Sequence, residues 1–232
     1  MEPSAMHIAN GIINGPTAIA FGGVAVVLLA LCIAKARRDL EDRMVPMAGL
    51  TAAFIFAVQM LNFGVLPGVS GHLLGGALAA ALVGPWVGAL CVSIVLIVQC
   101  LIFGDGGVTA LGLNIVNMAL IGAFVTYGVL SLALKLLPRT PTGVTIAAFC
   151  TSVISVVAGA TGFVVEYTIG GTSGDSVGHI AGLMLGFHVL IGLGEGVITA
   201  LTVLTVAKTR PDLVYALRGK QLRLQPTSTG AA

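Results

Sequence analysis

Residues whose nitrogen atoms could bind a metal ion lie near the start of the chain and again at position 72. Met6 and His7 are adjacent, and His72 lies in the stretch SGHLLGG. If Met6 is the first residue of the mature protein, its free amine, the backbone amide nitrogen of His7 and the His7 imidazole can bind one ion through two fused chelate rings. A nitrogen from His72 completes a square. Four nitrogens in a plane suit Ni(II) and Cu(II), and suit Zn(II) or hard cations poorly.

The true start of the chain decides how strong this chelate is. If translation begins at Met1 and nothing is removed, the free amine is lost to the chelate, and Met6 offers only a backbone amide and a thioether. If translation begins at Met6, this Met is kept, because removal of an initiator Met usually needs a small second residue and His7 is not small. Both starts remain open from the residues alone.

Two ionisable residues near the end of the chain are further candidates, because ionisable groups at membrane depth are costly and tend to be functional. His188 and Glu195 are seven residues apart, so they share one helix face and lie about 10 Å apart along the axis. Glu195 is interpreted as a packing brace that accepts hydrogen bonds from nearby backbone groups, and a coupling role is the alternative. His179 falls on nearly the opposite face from His188 and is interpreted as an interfacial histidine.

Uncharged polar side chains could orient the metal ligands through hydrogen bonds. Asn114 and Asn117 are three residues apart on one predicted helix, and Gln59 and Asn62 have the same spacing before SGHLLGG. With Ser70, these residues form the expected support for the metal ligands.

The elements that position these residues must lie in a membrane. The 232 residues are 57% hydrophobic and only 9% charged, with a mean hydropathy of +1.06. A soluble domain usually carries about 25% charged residues. The composition therefore predicts an integral membrane protein and excludes a soluble enzyme.

Apolar runs and their breakers predict an all-α integral membrane protein with seven transmembrane helices. The predicted helices cover approximately 17–35, 44–61, 71–83, 85–103, 111–135, 142–166 and 177–207. Residues 62–70 are expected to form an irregular loop that folds back into the bundle. The domain organisation is then an N-terminal metal-chelating segment at 1–16, a seven-helix membrane bundle at 17–207 and a cytoplasmic basic tail at 208–232.

The distribution of positive charge favours seven crossings with the N-terminus outside and the C-terminus cytoplasmic. All 11 Lys and Arg residues then lie inside. One crossing fewer would put Lys135, Arg139 and the whole basic tail outside. The acidic residues expected on the outer side are Glu2, Asp105, Glu166 and Asp175.

Four stretches together point to a known family: MHI at Met6, SGHLLGGALAAALVGP, FGDGGVTALGLNIVNM and HVLIGLGEGVIT. From Met6 to about Pro211 the chain closely resembles the substrate-capture membrane component of cobalt and nickel energy-coupling-factor (ECF) ABC transporters, of the CbiM/NikM type. The resemblance implies a bundle whose first helix is added to a six-helix core. It also implies capture of transported Ni2+ or Co2+ by Met6, His7 and His72, without a further cofactor.

The same resemblance implies partners and a location. The partners are a transmembrane coupling protein, ATP-hydrolysing subunits, a small accessory membrane subunit and membrane lipid, with no role for nucleic acid. The location is the bacterial plasma membrane, with a link to cobalamin biosynthesis. The sequence has no G-x-x-x-x-G-K-[ST] motif, so the chain is not expected to drive transport alone.

Two features depart from the family pattern. Five residues precede Met6, which we interpret as a mis-assigned start or a processed extension, and Asn10 stands where members often carry an acidic residue.

Two other functions compete with metal capture. An intramembrane metalloprotease would need an H-E-x-x-H helix, which the sequence lacks. A passive divalent-cation channel would explain the polar groups but not a chelating terminus, because tight multidentate binding opposes rapid exit. The sequence does not separate nickel from cobalt.

Overall fold

The computed structural model describes residues 7–60, 62–66, 69–137 and 140–218, with backbone alone for 62–66, 69 and 70. The helices and strands are α1 (Gly15–Asp39), α2 (Val45–Gln59), β1 (Asn62–Leu66), β2 (Val69–His72), α3 (Gly76–Val83), α4 (Pro85–Ile102), α5 (Leu111–Asn114), a π-helical segment (Ile115–Ile121), α6 (Gly122–Leu136), α7 (Pro141–Gly170) and α8 (Val177–Thr209).

Within the described residues, five helices are long and apolar enough to cross a membrane. They are α1, α4, the continuous rod Val108–Leu136 that contains α5 and α6, α7 and α8. Helix α2 has 15 residues and α3 has eight, so at 1.5 Å per residue neither reaches the roughly 30 Å of a hydrocarbon core. A multi-pass membrane protein is confirmed, whereas the seven crossings and the side on which each terminus lies stay predictions.

The prediction of an all-α chain was wrong between α2 and α3, where β1 and β2 form an antiparallel hairpin. Asn62 pairs with His72 and Leu66 with Val69. This stretch is rich in glycine and contains a Pro-Gly pair, which disfavours a helix and favours a turn between strands. The helix predicted over 71–83 therefore starts only at Gly76.

Glycine sets the junction between β2 and α3. Gly75 has a φ of +77°, a left-handed conformation that only glycine adopts easily. A Cβ atom on Gly75 would also lie 2.6 Å from the Cγ2 atom of Ile55. The chain can thus turn sharply from the hairpin into α3.

The helix predicted over 142–166 is longer in the structure. Helix α7 continues to Gly170, because the glycine pair that ends it comes only at Gly170 and Gly171. Glu166 is therefore inside the helix and fully buried, where Asn117 Nδ2 donates to its Oε2 atom at 2.7 Å.

Small residues let the helices approach closely at the centre and at the edge of the bundle. All eight residues of α3 are buried, and a Cβ atom on Gly76 would lie 2.9 Å from the backbone of Gly122. Helix α1 lies at the edge and contacts the rod where Gly22 meets Gly112. Such contacts replace the hydrophobic force that is missing between helices in lipid.

The segment that follows α8 packs against the connection between α1 and α2. The Tyr215 hydroxyl donates to Asp39 Oδ2 at 3.2 Å, and Arg218 Nη2 donates to Glu41 Oε1 at 2.6 Å. Burial, followed by the nearby Asp39 carboxylate, raises the pKa of Tyr215 to about 12. The hydroxyl therefore stays protonated and keeps donating over the physiological pH range.

We predict that Gly112→Ala weakens the packing of α1 against the rod Val108–Leu136 and lowers the stability of the protein. The added Cβ atom would lie 2.5 Å from the Gly22 Cα atom, and overpacking of this kind costs about 1–3 kcal/mol. For a chain of this size the Tm should fall by roughly 3–10 °C, measured by thermal unfolding in detergent. The control is Gly128→Ala, which meets no atom within 4 Å. An equal Tm for both variants would contradict the close contact.

Candidate metal site

The segment before α1 is held between the connections at the same end of the bundle. The Gly107 N–H donates to the Ile8 carbonyl at 2.9 Å, and the Asn14 N–H donates to the Gly170 carbonyl at 2.7 Å. The Ile8 N–H donates to Asn114 Oδ1 at 3.2 Å. These bonds fix the backbone directly after His7.

Asn10 is part of this network as a neutral acceptor. Its Oδ1 atom accepts from the Thr109 N–H at 3.0 Å and from the Thr109 hydroxyl at 2.7 Å. A Cβ atom on Gly107 would lie 2.4 Å from the Asn10 nitrogen, so the two segments touch backbone to backbone. The role of this position here is to join the N-terminal segment to the α4–α5 connection.

The structure brings His7 and His72 together. Their ring centroids are 4.5 Å apart at an interplanar angle of 59°, and the residues are only 3% and 4% exposed. His72 Nδ1 lies 3.0 Å from the Leu73 carbonyl. Because a carbonyl can only accept, Nδ1 carries the proton in the neutral ring, and Nε2 keeps the lone pair that a metal needs.

His7 is surrounded differently. Its Nδ1 atom lies 3.2 Å from Asp105 Oδ2. Among the described residues, however, neither ring nitrogen of His7 has a hydrogen bond of good geometry. Buried polar atoms are nearly always paired. The Nε2 atom of His7 is therefore a candidate metal donor beside the Nε2 atom of His72.

The two imidazoles line a cavity of about 40 Å³, together with His188, Asn114 and Asn117. This space is large enough for an ion with one or two water molecules. Within the described part of the chain, no group of three or more His, Cys, Asp or Glu side chains is arranged to hold a metal ion. A metal held by His7 and His72 would therefore need backbone or terminal nitrogens as its other ligands.

Asn117 lies in the π-helical segment, a geometry that is rare and frequent at functional sites. A Cβ atom on Gly162 would lie 2.2 Å from its Oδ1 atom, so α7 must present glycine there. Sequence reasoning missed its partner Glu166. The signal was present, since Glu166 is the first charge after an uncharged run that starts at Thr140.

Two polar side chains secure the backbone that follows His72 through three hydrogen bonds. Gln59 Nε2 donates to the Leu74 carbonyl at 2.8 Å. The Leu74 N–H donates to Glu195 Oε2 at 2.6 Å, and the Gly75 N–H donates to Glu195 Oε1 at 3.2 Å. We call Gln59 and Glu195, with the backbone of Leu74 and Gly75, the hairpin clamp.

His188 and Glu195 share a helix but not a site. His188 lines the cavity beside His7 and His72, whereas Glu195 lines a second pocket beside Gln59. His179 is exposed near the start of α8. Met6 and the side chains of Asn62 and Ser70 lie outside the described residues.

Comparison with known proteins identifies the family. Residues 7–213 match the family described as the cobalt uptake substrate-specific transmembrane region. The cobalt transport protein CbiM of Sorangium cellulosum is 30% identical over 228 residues, which cover 95% of this chain and 99% of that protein. A fused nickel transport protein, NikMN, of Rhodobacter capsulatus is 35% identical over 130 residues, which cover 56% of this chain and 38% of that protein.

The fold also matches a solved structure. A crystal structure of a truncated transition metal transporter superposes with a TM-score of 0.77 at 29% identity, covering 88% of this chain and 99% of the other. The family match spans almost every described residue, including both cavity histidines and the hairpin clamp. The chain therefore belongs to the CbiM family of cobalt uptake substrate-specific transmembrane regions.

Proposed function

We propose that this chain captures a divalent Ni2+ or Co2+ ion outside the cell, as the substrate-binding component of an ECF transporter. The observation that carries the proposal is the buried contact between His7 and His72, whose ring centroids are 4.5 Å apart beside a cavity. Nitrogen donors select borderline transition metals over Mg2+ and Ca2+, which prefer oxygen.

The proposed ligands come from two places in the chain. The N-terminal segment supplies the Met6 amine, the His7 amide nitrogen and the His7 imidazole, and the hairpin supplies His72 Nε2. Each contributes a neutral or deprotonated nitrogen, so binding requires the release of protons. Asn114 supports the first group through Ile8, and the hairpin clamp supports the second.

Supporting bonds of this kind set the orientation of metal ligands. The hydrogen bond to the Leu73 carbonyl fixes the tautomer of His72. The bond from Ile8 to Asn114 fixes the peptide after His7. Both ligands are thus positioned before a metal arrives, which lowers the entropy cost of binding.

Transport needs energy from partners. The chain has no phosphate-binding loop, so in this proposal an ATP-hydrolysing subunit drives release, acting through a transmembrane coupling protein and assisted by a small accessory membrane subunit. The seven crossings, the outer N-terminus and the cytoplasmic C-terminus belong to the same proposal, because they put the cavity on the side from which the metal enters.

We predict one tightly bound nickel ion per chain that begins at Met6, seen as added mass in native mass spectrometry. His72→Ala should weaken nickel binding at least 100-fold in equilibrium titration of the purified protein, because a buried ligand is lost. The control is His179→Ala, since His179 is exposed. Unchanged binding by His72→Ala would refute the site.

The terminal amine has its own test. A chain that starts at Met1 should bind nickel at least tenfold more weakly than one that starts at Met6, because the amine is then absent from the chelate. Equal affinities would exclude the amine as a ligand.

Metal uptake by vesicles that contain this chain without ATPase partners would favour a channel instead.

The hairpin clamp should tune the affinity. Glu195→Ala leaves the Leu74 and Gly75 N–H groups without their acceptor, so His72 loses its fixed position. Loss of such support typically costs 10–100-fold in metal affinity, and we expect about tenfold in a nickel titration. Thr202→Ala is the control on the same helix, because its hydroxyl donates to the Ile198 carbonyl, one turn earlier on α8. Equal affinities for both variants would contradict this role.

A further inference from the structure

Every acidic residue that is buried in the described part of the chain contacts the wall of the cavity beside the two histidines. These acidic residues are Asp105, Glu166 and Glu195. Each has a carboxylate oxygen within 3.2 Å of a nitrogen atom of a residue that lines the cavity. The lining residues concerned are His7, Asn117 and Leu74. The acidic residues themselves do not line the cavity, so they surround it one residue further out.

Fixed positive charge is absent from the same region. No Lys or Arg is buried in the described part of the chain. The ion pairs of Arg43, Arg210 and Arg218 with Glu41 and Asp212 lie at the other end of the bundle. A buried carboxylate without a cationic partner is costly, and at membrane depth it indicates a function.

Glu166 is the least satisfied of these carboxylates. Glu195 accepts from two backbone N–H groups, and Asp105 faces an imidazole nitrogen. Glu166 is fully buried and accepts from the neutral amide of Asn117. Among the described residues, its second oxygen, Oε1, has no hydrogen-bond partner. An ionised Glu166 therefore needs a cation that these residues do not supply.

Asn117 separates this carboxylate from the cavity. It lines the cavity, and its Nδ2 atom donates to Glu166 Oε2 at 2.7 Å. Glu166 is thus one side chain away from an ion in the cavity, which suits an action through charge and not through a metal bond. Charges interact strongly at such a separation when water is excluded, and salt screens them little.

We propose that Glu166 is the buried counter-charge of the captured metal ion. This inference rests on the proposed function. In the proposed ligand set only the deprotonated amide of His7 is negative, so a bound Ni2+ or Co2+ ion keeps one net positive charge. An ionised Glu166 balances that charge inside the bundle. The ion in turn stabilises a carboxylate whose burial is otherwise costly.

Glu166→Gln removes the charge and keeps an oxygen that can accept from Asn117. In purified full-length protein titrated with NiCl2, this variant should bind nickel at least tenfold more weakly. Its Tm without metal should be equal or higher, because a buried charge without a cation is lost. The control is Asp175→Asn, which makes the same charge change at an exposed residue between α7 and α8 and should bind within threefold of the unaltered protein. Unchanged nickel affinity in Glu166→Gln, or an equal fall in both variants, would overturn the proposal.

Glu166→Asp makes the complementary change, because it keeps the charge and draws it back from Asn117 by one methylene group. As a counter-charge, the shorter side chain should keep the nickel affinity within threefold. If Glu166 served only to hold Asn117 in place, Glu166→Asp would lose affinity and Glu166→Gln would not. That order would overturn the proposal, and each variant decides alone if the other does not fold.

The proposed function and this inference fail separately. If His72→Ala abolishes nickel binding and Glu166→Gln leaves it unchanged, the capture site stands and the counter-charge is refuted. If His72→Ala leaves nickel binding unchanged, the proposed function itself fails, whatever Glu166 does.

Discussion

The rest of the site depends on how backbone N–H groups are satisfied where the chain is not helical. Water is scarce inside a membrane bundle, so an unpaired N–H group there costs several kcal/mol. The chain is not helical between α2 and α3. Directly after the hairpin, Glu195 accepts hydrogen bonds from the N–H groups of Leu74 and Gly75, at 2.6 and 3.2 Å. One carboxylate on α8 thereby stabilises the non-helical backbone that holds His72 in the interior.

The close approach of the helices follows from the same lack of solvent. No hydrophobic force holds helices together in lipid, so backbones must touch. Gly76 against Gly122 brings α3 into the centre of the bundle, and Gly112 against Gly22 docks α1 at its edge. The space that is left is a cavity of about 40 Å³, so a single ion fits better than an organic solute.

Much of this arrangement could be predicted from sequence. The long helices were predicted to within a few residues, because uncharged runs and their breakers define them. The proximity of His7 and His72 followed from the resemblance and from the placement of both at one end of the bundle. The strands were missed because side-chain pattern in a glycine-rich stretch does not distinguish a loop from a hairpin. The burial of Glu166 was missed because one charge at the edge of an apolar run is typical of an exposed helix end, whereas its contact with Asn117 lies inside the bundle.

The path of the N-terminal segment limits how a chain of this kind can be joined to other proteins. His7 is 3% exposed and is followed by backbone that bonds to the connections around it. A domain or affinity tag fused ahead of this segment would have to leave from a buried point beside the cavity. Arg218, the last described residue, lies instead at the opposite end of the bundle, beside Glu41. A change to the residues next to His7 therefore reaches the cavity, whereas a change beside Arg218 acts at the other end of the bundle.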